Sequence, residues 1–381
     1  MMKKYNNKNI MVYAFLGTHP IYETLVKYPP ENIRYIHAPS KELYDTLSIY
    51  NPVKRKVKES IKILANKIGI PRIVWLPAFS VDLIHSSRGF LILNKKPWVV
   101  DIEHIGSFGN FRNKNVKRIA LKFLSSQYCK KILPHCKASM YSFFNAWNLP
   151  LEIKHKTEVL YPAIECRNVR KRKNEVVRIG FLATRRAFYE KGGRELLEAF
   201  KILSKKYDRI ELWIKSKIPG ELRRKYKNLP IRVIEDFYLT REELFKNFYE
   251  KLDIFCLPTY VDSFGYSLLE AMSVRLPIVA TSIFAIPEII EDGKNGFLIP
   301  SPLSDFREDF VIEMFDRKVL KRKILKSVVN GLVEKLSVLI EDSSLRRKMG
   351  RYGRKLVEKG KFSIKERNKK LLKIYQESLR Y

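Results

Sequence analysis

An acid, a glycine and a second acid cross one strand-to-helix turn in VDSFGYSLLEAMS, residues 261–273. Asp262 stands eight places before Glu270, with Gly265 between them. The preceding DIFCLPT reads as a buried strand that ends at Pro258. A helix that starts just past a strand exposes unpaired N–H groups and the positive end of its dipole, and both attract phosphate. Gly265 lets a ligand approach the backbone closely. The turn Ser263, Phe264, Gly265, Tyr266, Ser267 therefore reads as a cradle for a diphosphate. Glu270, about one turn into the helix, is placed to accept hydrogen bonds from ribose hydroxyls, and Asp262 to reach a sugar hydroxyl. A plainer reading fits the same residues: Asp262 or Ser263 is an N-cap, and Glu270 is an exposed helix residue.

A second stretch, GFLATRRAFYEKGGRELLEAF at 180–200, also follows a strand. It offers Arg185, Arg186 and Lys191, then Gly192, Gly193 and a helix. Cations at the carboxyl end of a strand are suited to neutralise a diphosphate leaving group. A charge-assisted hydrogen bond contributes about 1.5–3 kcal/mol. One made mainly in the transition state speeds a reaction by about 10- to 100-fold. Any single basic residue is weak evidence in so basic a chain; the pairing of 185–193 with 262–270 is what carries the reading.

The elements that must hold these residues alternate along the chain. Apolar runs at 10–17, 72–78, 97–103 and 131–136 read as strands, with helical patterns at 53–70 and 115–129. The runs are continuously apolar, as in parallel sheets covered on both faces. A polar stretch, ECRNVRKRKNE at 165–175, interrupts the pattern. Strands then follow at 176–183, 209–215, 231–237, 252–258, 276–281 and 296–300, with helices at 192–206, 240–250, 266–274 and 285–291. This is an α/β pattern of two Rossmann-like, doubly wound parallel-sheet domains. The expected division is residues 1–165, a linker at 166–175, a second domain at 176–360, and a final helix at 361–381 that crosses back to the first domain. From 317 to 373 there are twenty Lys and Arg against five acids, read as helices with solvated basic faces.

The 381 residues carry a formal net charge of +34. That charge points to polyanionic partners: phosphorylated ligands, acidic lipid headgroups or nucleic acid. No recognisable nucleic-acid module occurs, and no nucleic-acid partner is expected. The four cysteines (Cys129, Cys136, Cys166, Cys256) form no CxxC pattern, so buried thiols in a reducing cytoplasm are expected rather than a zinc set with His135. The start of the chain imitates a signal peptide only faintly and reads better as a first strand. No apolar run reaches the ~18 residues of a membrane span. The expected location is cytoplasmic, with peripheral attachment to an anionic membrane surface through basic helices at 53–70 or 113–131.

The spacing from Asp262 to Glu270, followed by EAMSVRLPIVATSIFAIPEIIEDGKNGFLI, resembles the signature of retaining glycosyltransferases of family 4, which have the GT-B fold. YPAIE at 161–165, EKGGRELLEAF and LTREELFKNFYEKLDIFCLP are similar to the same family in the same order. The similarity is dense over 155–300 and thinner before it. It implies two domains facing a central cleft and transfer of a hexose-type sugar from a nucleotide-sugar donor to a glycan, lipid-linked or small-molecule acceptor. It implies no metal and no cofactor, with fixed positive charge standing in for a metal. Glu270 would bind the donor ribose, and the backbone of Phe264, Gly265, Tyr266 and Ser267 the diphosphate. Arg186 or Arg185, with Lys191, would stabilise the leaving nucleoside diphosphate. Asp262 stands where the family usually has Glu, and Phe181 where it has Arg after the strand's glycine. Glu288 and the Gly296 turn belong to the motif as structural members.

The N-terminal half would supply the acceptor side. Gly17, in FLGTHP, ends the first strand and is taken to admit donor close to the backbone. His104 follows the strand at 97–103 and matches the family's His that faces the donor sugar. Asp101 and Glu103 imitate a metal-binding pair, but alternation along a strand turns one of them into the packing. The family's mechanism is front-face attack in which the leaving phosphate accepts the acceptor's proton, so no dedicated base is required. Two other readings remain open at this point: another reaction on the same fold, such as epimerisation or phosphorolysis of a sugar, and an anionic-surface or nucleic-acid binder.

Overall fold

The computed structural model describes residues 9–17, 19–36, 68–169, 175–184, 187–235 and 240–380. The chain divides into two compact units, one of residues 1–163, 308–312 and 364–381, the other of 164–307 and 313–363.

The first unit is built on β1 (Ile10–Phe15), β2 (Ile33–Ile36), β4 (Leu83–Ser86), β6 (Trp98–Ile102) and β7 (Cys129–Pro134), all parallel, in the order β2-β1-β4-β6-β7. Two short strands, β3 (Ile73–Val74) and β5 (Leu91–Ile92), pair apart from it. Successive residues point to opposite faces of a strand, and the packing follows that rule. Val12, Ala14, Leu83, Val99 and Leu133 meet Leu371, Ile374 and Tyr375 of the helix Ile364–Ser378 on one face. Tyr13, Ile84, Trp98, Val100 and Ile132 meet Val116, Ala120 and Leu124 of the helix Lys114–Leu124 on the other. Burial on both faces is why β1 and β6 read as largely apolar runs.

Two expectations for this half change. Of the strand expected at 72–78, only Ile73 and Val74 pair, and they do so outside the main sheet. Trp75 is 55% exposed and Pro77 lacks an N–H, so the run does not continue a ladder, although Leu76 and Ala78 are buried. The true neighbour of β1 is β4, whose His85 and Ser86 break the apolar pattern that would have marked it. The helix expected at 115–129 ends at Leu124, and Cys129 already begins β7. The basic pattern at 53–67 lies outside the described residues.

His85 is fully buried, so its ring must be satisfied within the protein. Its Nε2 lies 3.0 Å from Asp101 Oδ1, and its Nδ1 2.5 Å from the Tyr375 hydroxyl. Tyr375 in turn meets the Tyr35 hydroxyl at 3.0 Å. This polar chain ties the helix Ile364–Ser378 to β2, β4 and β6. Asp101 is therefore a structural acid of the first unit. Burial opposes its charge, but the facing His85 and His135 outweigh it and carry the carboxyl down to about 2. A carboxyl depressed in the folded state contributes stability that is present above its unfolded value and lost as pH falls through the folded one. Chemical denaturation as a function of pH should therefore show stability falling between about pH 4 and pH 2, less steeply in Asp101→Asn; equal slopes in the two proteins would contradict this role.

The second unit is a six-stranded parallel sheet of β8 (Val177–Leu182), β9 (Ile210–Lys215), β10 (Ile231–Val233), β11 (Ile254–Leu257), β12 (Ile278–Ser282) and β13 (Gly296–Pro300). Its order is β10-β9-β8-β11-β12-β13. Counted within the sheet this is 3-2-1-4-5-6, the Rossmann order, and the direction of winding reverses between β8 and β11. The helices Gly193–Lys206 and Lys326–Glu341 cover one face, with Leu196, Phe200, Val328 and Leu332 buried against Ile179, Phe181, Leu212 and Ile254. Phe181 is a core residue there, 5.6 Å from Phe188 edge to face. The stretch expected as a linker starts by packing on this unit: Arg167 donates twice to Glu242, at 2.7 and 2.6 Å. Residues 170–174 lie outside the described residues.

Candidate functional site

Ligands of open α/β sheets bind beyond the carboxyl ends of the strands, at the point where the winding reverses. In the second unit that point is flanked by the segments leaving β8 and β11. These are the two stretches singled out from the sequence, and the sheet makes them neighbours because β8 and β11 pair directly.

The segment after β8 ends at Gly192, which has φ +74° and precedes the helix Gly193–Lys206. A Cβ at Gly192 would overlap the Pro258 carbonyl, so only glycine lets this loop pass so close to the end of β11. The close passage carries Lys191 across to the second segment. Its Nζ donates to Asp262 Oδ2 at 2.6 Å and to the Val261 carbonyl at 2.8 Å. Both side chains keep some water contact, at 20% and 15% exposure. A cation and a carboxylate thus meet at the switch point, and an incoming phosphate would compete with Asp262 for Lys191.

Neither Asp262 nor Ser263 caps the following helix. Asp262 Oδ1 accepts the Phe264 N–H at 3.2 Å, which turns the chain. Gly265, at φ +89°, is the residue that precedes the helix Tyr266–Ser273, and no side chain caps it. The residue at the N-cap has no side chain, and a helix start behind a strand end is where an anion can meet backbone N–H groups. Phe264 and Tyr266 are buried, and Ser267 is half-buried. Glu270 is not an exposed helix residue. It is 6% exposed, with Oε1 3.0 Å from Arg241 Nη1 and Oε2 accepting the Tyr249 hydroxyl at 2.7 Å. Burial, reinforced by Glu270, pushes the Tyr249 phenol well above its ordinary value, so it donates and does not ionise. A carboxylate offers about four acceptor positions, so these two partners leave capacity for ligand hydroxyls.

Arg241 was missed from the sequence. It opens the helix Arg241–Asn247 behind a Thr240–Glu243 capping box, and its guanidinium lies 5.5 Å from the Tyr266 ring. A cation in the first turn opposes the helix dipole; that misfit was the available signal that Arg241 has a partner elsewhere. Arg185 and Arg186 lie outside the described residues.

Gly17 and His104 belong to the first unit. Gly17 follows β1, and a Cβ there would sit 3.2 Å from Arg88 Cδ. His104 follows β6 and starts the short helix Ile105–Phe108, its Nδ1 accepting the Gly106 N–H at 3.0 Å. An accepting Nδ1 puts the neutral ring's proton on Nε2. Burial holds the imidazole below its ordinary value, with Glu103 pulling the other way and Arg72 adding to the depression. Cys129 and Cys136 are buried structural thiols; Cys129 is pushed up to about 12, chiefly by burial, and Cys136 Sγ accepts the Ser139 N–H at 3.3 Å. Among the described residues, no helix is long and apolar enough to cross a membrane.

Residues 168–323 match the family model described as glycosyl transferases group 1, a span that holds both site segments. The capsular polysaccharide biosynthesis glycosyltransferase CapM of Staphylococcus aureus is 27% identical over 194 residues, which cover 49% of this chain and 42% of that protein. Solved structures of like fold include a glycosyltransferase from Rickettsia africae ESF-5, at 16% identity, 98% and 100% coverage of the two chains and a TM-score of 0.61. Anabaena Alr3699/HepE in complex with UDP and glucose matches at 13% identity, 97% and 100% coverage and a TM-score of 0.60. The solved structures show the fold, and the family model covers the 168–323 stretch. The fold likeness extends over both Rossmann-like units, whereas the sequence likeness to CapM spans less than half of that protein.

Proposed function

We propose that this chain is a retaining glycosyltransferase of family 4 that moves a hexose-type sugar from a nucleotide-sugar donor to a glycan, lipid-linked or small-molecule acceptor, without a metal. The observation that carries the proposal is the meeting of Lys191 with the Asp262–Gly265 turn at the switch point, ahead of a helix whose N-cap is a glycine. A diphosphate in that turn takes the N–H groups of the helix start and draws the Lys191 cation. Lys191 then offsets the charge that grows on the leaving nucleoside diphosphate, as a divalent ion does elsewhere. Glu270 holds the ribose hydroxyls, oriented by Arg241 and Tyr249. Asp262, released from Lys191, turns to a hydroxyl of the transferred sugar. Peripheral attachment to an anionic membrane surface accompanies this reading, since Lys114, Arg118 and Lys122 are exposed at four-residue spacing on the helix Lys114–Leu124.

A UDP-linked hexose is the first donor to try, because the fold-related Anabaena protein has been captured with UDP and glucose. The deciding experiment incubates the full chain with a panel of nucleotide sugars and glycan acceptors, with chelator present. Expected is acceptor-dependent release of nucleoside diphosphate and a product whose anomeric configuration, read by NMR, equals that of the donor. Inversion would overturn the retaining mechanism; epimerised donor, or sugar phosphate released without acceptor, would replace transfer with another reaction.

A further inference from the structure

A second concave site lies in the same unit, at the other end of its sheet. Its cavity, about 630 Å³, is lined by Arg275, Arg347, Arg351, Arg354, Lys355 and Lys359. That volume is in the range of small-molecule sites. Glu358 is the single acid in the lining, and it pairs with Arg354 at 3.2 Å. Among the described residues, no carboxylate pairs with Arg351, Lys355 or Lys359. The cavity thus gathers six cations against the one carboxylate of Glu358.

The fold goes to some length to bring these cations together. Arg347, Arg351, Arg354 and Lys355 recur at three- and four-residue spacing on the helix Ser343–Glu358, so they share one face. Arg275 comes from a different element, the turn between the helix Tyr266–Ser273 and β12. It sits at φ +62°, a conformation costly for a residue with a side chain. A Cβ at Gly350 would collide with the Arg275 carbonyl, so glycine at that helix position is what lets the turn seat against the helix. Arg354 is 5% exposed and anchored, its Nη1 donating to the carbonyls of Ser273 and Arg167, each at 2.5 Å. A solvated basic helix face requires neither the strained arginine nor the glycine that admits it.

We infer that this cavity binds a ligand carrying two or more phosphate groups, at a site distinct from the candidate donor site. Four of the six cations are arginines, whose planar fork matches phosphate oxygens two at a time. The two sites are set apart by topology. Tyr266 opens its helix at the carboxyl ends of the strands, whereas Arg275 follows the far end of that helix, about 12 Å of helix rise away, and leads into the amino end of β12. The phosphates belong either to a free small molecule or to a lipid headgroup.

Thermal shift with inorganic tripolyphosphate at fixed ionic strength tests the site, using wild type, the double variant Arg351→Ala/Lys355→Ala, and Lys191→Ala. Both residues of the double variant are exposed and bond to nothing else described, so folding should survive; the unliganded midpoint checks this. Expected is a saturable rise in midpoint that persists in Lys191→Ala, with apparent affinity weakened about ten-fold or more in the double variant. Absence of a saturable rise in wild type, or a rise abolished by Lys191→Ala and kept by the double variant, would overturn the inference. Co-sedimentation with vesicles containing a phosphatidylinositol bisphosphate, whose headgroup carries more than one phosphate, then separates the sources. Pelleting that the double variant loses identifies a headgroup; a tripolyphosphate shift without such pelleting identifies a free ligand.

Discussion

Lys191→Ala should lower acceptor-dependent release of nucleoside diphosphate by about 100- to 1000-fold, the usual cost of removing one preorganised donor from a developing anion. The expectation rests on geometry. Lys191 is held across the switch point by the Val261 carbonyl and Asp262, and Gly192 makes that reach possible. The cation is therefore close to the turn before a donor arrives, and only its bond to Asp262 has to be exchanged for one to the phosphate. The stability cost should be smaller than for a fully buried pair, because both partners keep some water contact. The double readout matters: a fall in turnover far larger than any loss of folded protein at the assay temperature assigns Lys191 to the chemistry. Turnover equal to wild type would remove it from the site.

Glu270→Ala is expected to behave differently, losing both activity and stability. The carboxylate is buried against Arg241 and Tyr249, so truncation strands a guanidinium and a phenol together. Removing one partner of a fully buried pair costs about 3–5 kcal/mol. Arg241 keeps some exposure, so the lower end, about 3 kcal/mol, is expected. For a unit of this size that corresponds to a midpoint drop of roughly 6–12 °C. Glu270→Gln keeps an oxygen for one of the two partners and should recover much of the midpoint. Its activity should stay low, because one acceptor facing the ribose has become an N–H donor. Calorimetry beside the transfer assay separates the two effects; an alanine variant with unchanged midpoint and turnover would show that Glu270 is neither buried support nor donor contact.

The sequence alone went far towards this picture where the physics is short-ranged. Apolar-rich runs alternating with helical patterns marked the sheet strands of the second unit. The glycine at 265 and the run that turns helical after it marked the helix start that the structure has there, because turn chemistry is a local property. The ordered motifs over 155–300 carried the resemblance to a glycosyltransferase family, and the fold and family comparisons agree with it at that coarser level. Local rules failed where a strand carried polar residues: His85 hid β4, because its satisfaction by Asp101 and Tyr375 spans up to 290 residues of sequence.

Tertiary structure alone decided who meets whom. Lys191 and Asp262 are 71 residues apart and become partners because the strand order sets β8 beside β11. Arg241 reaches Glu270 only after the helix Arg241–Asn247 docks. Arg275 joins the cations of a later helix only because position 350 has no side chain to keep them apart. Periodicity and turn residues dictate elements, but the pairing of charges across elements follows from sheet order and close packing, which no stretch of a dozen residues encodes.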